Sequence, residues 1–301
     1  MKIIEVTPSN SIQAVLNQYS SIEKLIIKLS PGTYHEKLSI DTDYVTIEGH
    51  SPKTTFIVNS DYNYKIHQDG QIYNTFRTQT VNILSNDVTL KNLTVRNDAG
   101  SKENIGQAIA LSVYGNNFQA NNCYFHGYQD TIFCGPLPED LTIRYQNFLP
   151  KSHLSTKDIS CNFESCIVSG AIDFIFGSAF AIFRNCKIIA IDKGYIVAPS
   201  TYKDFEFGFV FIDCEIISQS KSFDVYLARP WRNHGAVCFI CCNFKGNFHP
   251  ERYELWGKDV YRFYESPQKI SKYSKELSSS KEEQLRMGGI KKIAPYEKIT
   301  N

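Results

Sequence analysis

The sequence predicts an all-β chain wound as a parallel β-helix, because one short unit recurs along it, the recurrence is uneven, and each copy is centred on Cys or Leu. The copies are Leu90–Val95, Ala120–Phe125, Phe163–Val168, Phe183–Ile188, Phe211–Ile216 and Phe239–Phe244. Their centres, Leu93, Cys123, Cys166, Cys186, Cys214 and Cys242, follow one another at intervals of 30, 43, 20, 28 and 28 residues. A fixed unit at uneven spacing is the signature of a solenoid whose loops differ in length. Within each copy an apolar residue, a small polar one, the central Cys or Leu and another apolar residue describe a strand that turns a corner. Alternate side chains then enter a shared interior. Five of the nine cysteines form an interior ladder, where a free thiol packs as a small apolar group. A metal site is not expected of them, since the adjacent Cys241 and Cys242 would face opposite ways along a strand.

The elements follow in order. Residues 1–22 are predicted to cap the coil: Ile12, Val15, Leu16 and Tyr19 recur at helical spacing after Ser9-Asn10-Ser11, giving a short amphipathic helix that plugs the open end. Between residues 135 and 158 the strand pattern fails. Pro136, Pro138 and Pro150 among scattered Lys, Asp and Ser mark a long inserted loop, which accounts for the 43-residue interval. Residues 266–301 read as a tail packed outside the coil. There Ser280–Glu283 is a capping-box pattern ahead of Leu285 and Met287, with Gly288-Gly289 as a stop. The whole of 1–301 is read as one domain, a length that solenoids often reach undivided.

Composition narrows the function. Lys and Arg total 32 against 31 Asp and Glu, so nothing favours a nucleic-acid partner or a strongly electrostatic binder. No run approaches the ~18 apolar residues that span a bilayer, and the N-terminal Met1–Pro8 has no export-signal pattern. The expectation is a cytoplasmic monomer without a membrane partner. An odd number of cysteines fits a reducing compartment.

The chemistry rests on two aspartates in apolar runs, Asp130 in Tyr128–Thr131 and Asp173 in Asp173–Gly177. A carboxylate among aromatic and branched residues is costly to bury unless it has a partner or a chemical task. If the 135–158 segment is extruded, the two sit on neighbouring rungs ~4.8 Å apart and resist ionising together. One then rises towards a general acid, while the other, held by a cation, stays an anionic nucleophile. Arg229, in Leu227–Trp231, is the candidate cation, since a guanidinium keeps its charge. Gln107 and Gln129 add neutral amide donors suited to a transient oxyanion. A lone Asp in such a coil is commonly a turn residue; the combination of five residues favours chemistry. Trp231 and Trp256 taken singly are read as core, and His126 and His234 as loop or solvent-facing residues.

Five motifs, Gly32-Thr-Tyr-His-Glu36, Gln107-Ala-Ile-Ala-Leu111, Gly127-Tyr-Gln-Asp-Thr131, Asp173-Phe-Ile-Phe-Gly177 and Leu227-Ala-Arg-Pro-Trp231, resemble those of pectin methylesterases in kind and order. The resemblance spans about residues 5–265. It implies a single-stranded right-handed parallel β-helix and hydrolysis of the C6 methyl ester of galacturonate in pectin or methylated oligogalacturonides, with no cofactor or metal. By resemblance Asp173 is the nucleophile, Asp130 the general acid and base, Gln107 and Gln129 the oxyanion donors, and Arg229 the partner of Asp173. Trp231 resembles the aromatic that lines the sugar cleft, and Tyr34 and Glu36 belong to a structural motif. The 135–158 insertion is longer than in the common plant-type members and is expected to border the cleft, shortening its subsites or forming a lid. Gly135-Pro-Leu-Pro138 resembles a bacterial branch.

Two other classes stay open. A pectate lyase or polygalacturonase needs a calcium-binding acidic cluster or several inverting carboxylates, and neither pattern is present. A relative acting on another acyl ester or thioester, or a carbohydrate-binding solenoid without turnover, differs in the acyl partner or in lacking the chemistry.

Overall fold

The computed structural model describes residues 1–19, 23–146 and 158–287, which form a right-handed parallel β-helix. One face is an eleven-stranded sheet that climbs in chain order from Lys2–Val6 through Phe118–Asn121 and Ser160–Glu164 to Lys275–Glu276. The remaining flanks share a thirteen-stranded sheet joined by two long strands, Ile167–Gly177 and Lys187–Pro199. Ile167–Gly177 pairs with Tyr124–His126 at its start and with Ile132–Cys134 at its end, so it bends across two sides of the coil.

The corner in each repeat has a backbone cause. Asn92, Asn122, Ser165, Asn185, Asp213 and Cys241, each just before the central Cys or Leu, all adopt φ between 50 and 54°. After glycine, left-handed backbone is least costly for Asn and Asp, which explains the small polar residue of the unit. Each of these amides donates to a carbonyl of the next coil, as Asn122 does to Glu164 and Asp213 to Ile240, both at 3.0 Å. Cys241 and Cys242 therefore do not lie along one strand. Cys241 is the exposed corner residue and Cys242 the half-buried next rung of the ladder. Cys238, three residues earlier, is buried among the apolar residues outside the eleven-stranded sheet.

Inside the coil the unit builds two ladders. Phe163, Phe183, Phe211 and Phe239 stack face to face at 4.3, 4.8 and 4.9 Å. Beside them the thiols of Cys166, Cys186 and Cys214 donate to carbonyls of the preceding coil, those of Ala120, Phe163 and Phe183, at 3.3 to 3.4 Å. None of the nine cysteines is joined in a disulfide. Each buried Phe contributes ~1.5–3 kcal/mol of transfer free energy, so the stacked column is a major part of the stability.

The ends differ in detail from the sequence expectation. Residues 1–19 supply a strand, Lys2–Val6, as well as the helix Ile12–Asn17, whose Ile12 and Leu16 enter the same core as Leu25 and Leu38. Ser11 caps this helix through its hydroxyl, and Glu36 accepts from Ile12 N at 2.8 Å and Gln13 N at 3.2 Å. Tyr34 donates to the carbonyls of Val6 and Ser30, while a Cβ on Gly32, at φ 146°, would lie 2.3 Å from Pro8. The Gly32–Glu36 motif thus ties the cap to the coil. At the other end the helix Ser279–Met287 starts before the expected box, so Ser280 lies in its first turn. It buries Leu285 against Ile182, Ile212 and Ile240 on the outer face of the eleven-stranded sheet. Gly288-Gly289 lies outside the described residues.

Candidate active site

The site forms where the long strands bend. The bridge between Gln129 and Ile172, with Asp130 N donating to Ile172 O at 3.0 Å, sets Asp130 and Asp173 on adjacent rungs. Both aspartates have left-handed backbone, φ 63 and 49°, and the register slips between Gly170 and Ile172 and again between Ile172 and Ile175. Such a bulge redirects a side chain that regular alternation would send elsewhere. Gly177, closing the Asp173 motif at φ 128°, lies so near the previous rung that a Cβ would stand 2.0 Å from Cys134 O.

Asp173 is 7% exposed and is gripped by Arg229 through Nε on Oδ1 at 2.9 Å and Nη2 on Oδ2 at 2.6 Å. This two-point charge-assisted pairing fixes the plane of the carboxylate. The guanidinium is itself sandwiched, 3.7 Å from the Tyr195 ring centre and 3.9 Å from that of Trp256, with Glu254 at 3.9 Å from Nη1. Asp130 is 8% exposed, and its carboxyl makes no hydrogen bond among the described residues. Burial, reinforced by the charge of Asp173 and only partly offset by Arg229, pushes Asp130 well above the ordinary carboxylate range. Burial also raises Asp173, but the hydrogen bonds and charge of Arg229 oppose that rise. On balance Asp173 is raised too, though less far, so of the two carboxyls Asp130 holds its proton the more strongly.

Gln107 and Gln129 reach the same cleft from the two rungs before Asp173. Asn63 donates to Gln107 Oε1 at 2.6 Å, and among the described residues the Gln107 NH2 group has no acceptor. Together with Asp130, Asp173, Arg229 and Trp231 these amides line one cavity of about 350 Å³, within the usual range for small-ligand sites. Trp231 packs edge-on against Phe176 at 5.7 Å.

Several contributors were not legible in the sequence. Trp256, read there as core, is 39% exposed and forms a wall of the cleft over Arg229. Tyr195 and Glu254, which hold the other sides of Arg229, lie 22 and 81 residues after Asp173, and no local motif marks them. His126 is not in a loop: it sits half-buried on a strand, 2.7 Å from Ser169 Oγ, away from the cleft. The 135–158 segment, described over 135–146 and at 158, contains a short helix, Glu139–Arg144, and Leu141, Arg144 and Tyr145 line the cavity. Residues 147–157 lie outside the described structure. Among the described residues no group of three or more His, Cys, Asp or Glu is arranged to hold a metal ion, and no helix is long and apolar enough to cross a membrane.

Comparison with known proteins adds independent findings. The family model named Pectinesterase matches residues 6–136 and 153–269, leaving 137–152 between the two stretches. Pectinesterase 31 of Arabidopsis thaliana is 30% identical over 241 residues, covering 78% of this chain and 68% of that protein. Several other Arabidopsis relatives are covered less fully, one of them over 29% of its length. The structure of the pectin methylesterase from Yersinia enterocolitica superposes with a TM-score of 0.74 at 23% identity, over 91% of this chain and 96% of that one. A pectin methylesterase solved in complex with a hexasaccharide gives 0.69 at 21% identity, over 90% of each chain. At these identities the structural likeness shows a shared fold.

Proposed function

The chain belongs to the pectinesterase family, and from that premise we propose that it hydrolyses the C6 methyl esters of galacturonate units in pectin or its methylated oligomers, releasing methanol. The observation that carries this is the asymmetric pair of buried carboxylates: Asp173 is gripped at two points by Arg229, while Asp130 has no hydrogen-bond partner for its carboxyl among the described residues and is pushed further up. A solved relative bound to a hexasaccharide supports a carbohydrate in the cleft.

In the first half-reaction an Asp173 oxygen attacks the ester carbonyl carbon, and the amide N–H groups of Gln107 and Gln129 stabilise the tetrahedral oxyanion. When that intermediate collapses, the bond to methoxide breaks and Asp130 protonates it to methanol, leaving Asp173 in an acyl anhydride. Asp130, now ionised, takes a proton from water as the water oxygen attacks the anhydride carbonyl. The Asp173 carboxylate leaves, the product acid forms, and Asp130 is again protonated. Arg229 stabilises Asp173 as an anion before attack and as a leaving group afterwards. Trp231 offers an apolar face to a sugar ring.

The cytoplasmic location and action on short oligomers belong to the same proposal. Nine free thiols, five of them stacked within the coil, suit a reducing compartment. Enzyme found only in the medium of the native host would overturn that part.

The test is methanol release from methylated oligogalacturonides of defined length, in EDTA, by wild type and Asp173→Asn. The expected result is release by wild type alone, with a loss of at least ~1000-fold in the variant, because a near-isosteric amide is a poor nucleophile. Release by Asp173→Asn at the wild-type rate would remove Asp173 from the chemistry. An unsaturated uronide product, or a rate abolished by the chelator, would instead identify a lyase.

A further inference from the structure

The helix Glu139–Arg144 belongs to the stretch that the family match leaves out, yet it walls one side of the cleft. Two contacts fix it there. Asp140 takes Arg232 in a two-point ion pair at 2.6 and 3.2 Å, and Tyr145, just beyond the helix, tilts against Phe76 at 5.4 Å. Arg144 stands one helical turn after Asp140, so both lie on the same side of the helix. Its guanidinium rests over the Tyr145 ring at 5.3 Å, and among the described residues no carboxylate pairs with it. The other arginines of the cleft are neutralised, Arg229 by Asp173 and Arg232 by Asp140. Arg144 is thus the uncompensated cation of the wall, on a helix anchored at both ends.

The geometry points to Arg144 as a specificity residue that takes the free C6 carboxylate of a galacturonate unit next to the one being de-esterified. This rests on the function proposed above. A guanidinium offers a carboxylate two parallel charge-assisted hydrogen bonds, whereas a methyl ester in the same place has no charge to pair.

Two measurements test this with wild type, Arg144→Gln and Arg144→Lys. The first is the ratio of kcat/KM for an oligomer carrying a single methyl ester to that for the fully methylated oligomer of equal length. Arg144→Gln is expected to lower this ratio roughly tenfold, the scale of one partly exposed charge-assisted pair, and Arg144→Lys to restore part of it. A ratio unchanged in Arg144→Gln overturns the inference. The second is calorimetric binding of the fully de-esterified trimer, which needs no turnover. Its Kd is expected to rise by a similar factor in Arg144→Gln, with a smaller salt dependence than in wild type; an unaltered Kd overturns the inference as well. If wild type releases no methanol from either oligomer, the proposed function falls, and the binding measurement still decides the role of Arg144.

Discussion

Asp130 combines the identity of an acid with a setting that strips it of partners. Its carboxyl is raised by burial first and by the neighbouring Asp173 charge second, so the folded protein holds a proton that the unfolded chain releases at mildly acidic pH. The sign of the linkage follows. The stabilisation from this proton is complete below the unfolded pKa of ~4 and is lost as pH rises through the folded value, by at most ~1.4 kcal/mol per pH unit. Asp130→Asn keeps the shape and tolerates φ 63° but cannot ionise. It is expected to be inactive and to melt higher than wild type at neutral and alkaline pH, with the gap closing towards pH 4; a lower melting temperature across the whole range would contradict a buried, partnerless acid. On the proposed mechanism turnover needs Asp173 ionised and Asp130 protonated, which gives a bell-shaped profile of kcat/KM against pH. Its acid limb belongs to Asp173 and its alkaline limb to Asp130.

One corner in each repeat carries the fold. Its left-handed residue lets the chain leave the eleven-stranded sheet, and the Cys or Leu that follows points straight into the interior. That is why the unit was legible in sequence: the backbone demands Asn, Asp or a small residue, and the narrow space between stacked coils demands a small apolar one. Cys186 makes the demand testable. Its thiol donates to Phe163 O at 3.4 Å, with Cys166 and Cys214 on the neighbouring rungs, and the residue is fully buried. Cys186→Asp places an unpaired charge there and is expected to cost at least ~4 kcal/mol, seen as loss of the cooperative thermal transition. A melting temperature within a few degrees of wild type would refute the interior ladder. The inserted element gave no comparable signal. Three prolines announced a loop, and the short helix that wraps Asp140 onto Arg232 depends on a partner 92 residues away.

Across the whole molecule, apolar faces left outside the coil are covered by its ends. Leu285 on the C-terminal helix closes over Ile182, Ile212 and Ile240, far along the chain from the cleft residues. Leu285→Ala is expected to destabilise the protein by ~2–4 kcal/mol, read as a lower denaturant midpoint, while kcat/KM measured well below the transition stays at the wild-type value. A loss of kcat/KM in fully folded Leu285→Ala would mean that the outer face and the cleft are coupled. The sequence by itself determined the coil, its cysteine ladder and the motifs of Gln107, Gln129, Asp130, Asp173 and Arg229, because a repeating backbone corner and charged groups in apolar runs leave local patterns. Only the tertiary structure decided that Tyr195 and Trp256 clamp Arg229, that Asn63 holds Gln107, and that Arg144 faces the cleft. Those side chains meet because stacking brings distant rungs together, and contacts between rungs leave no periodicity within any single stretch of chain.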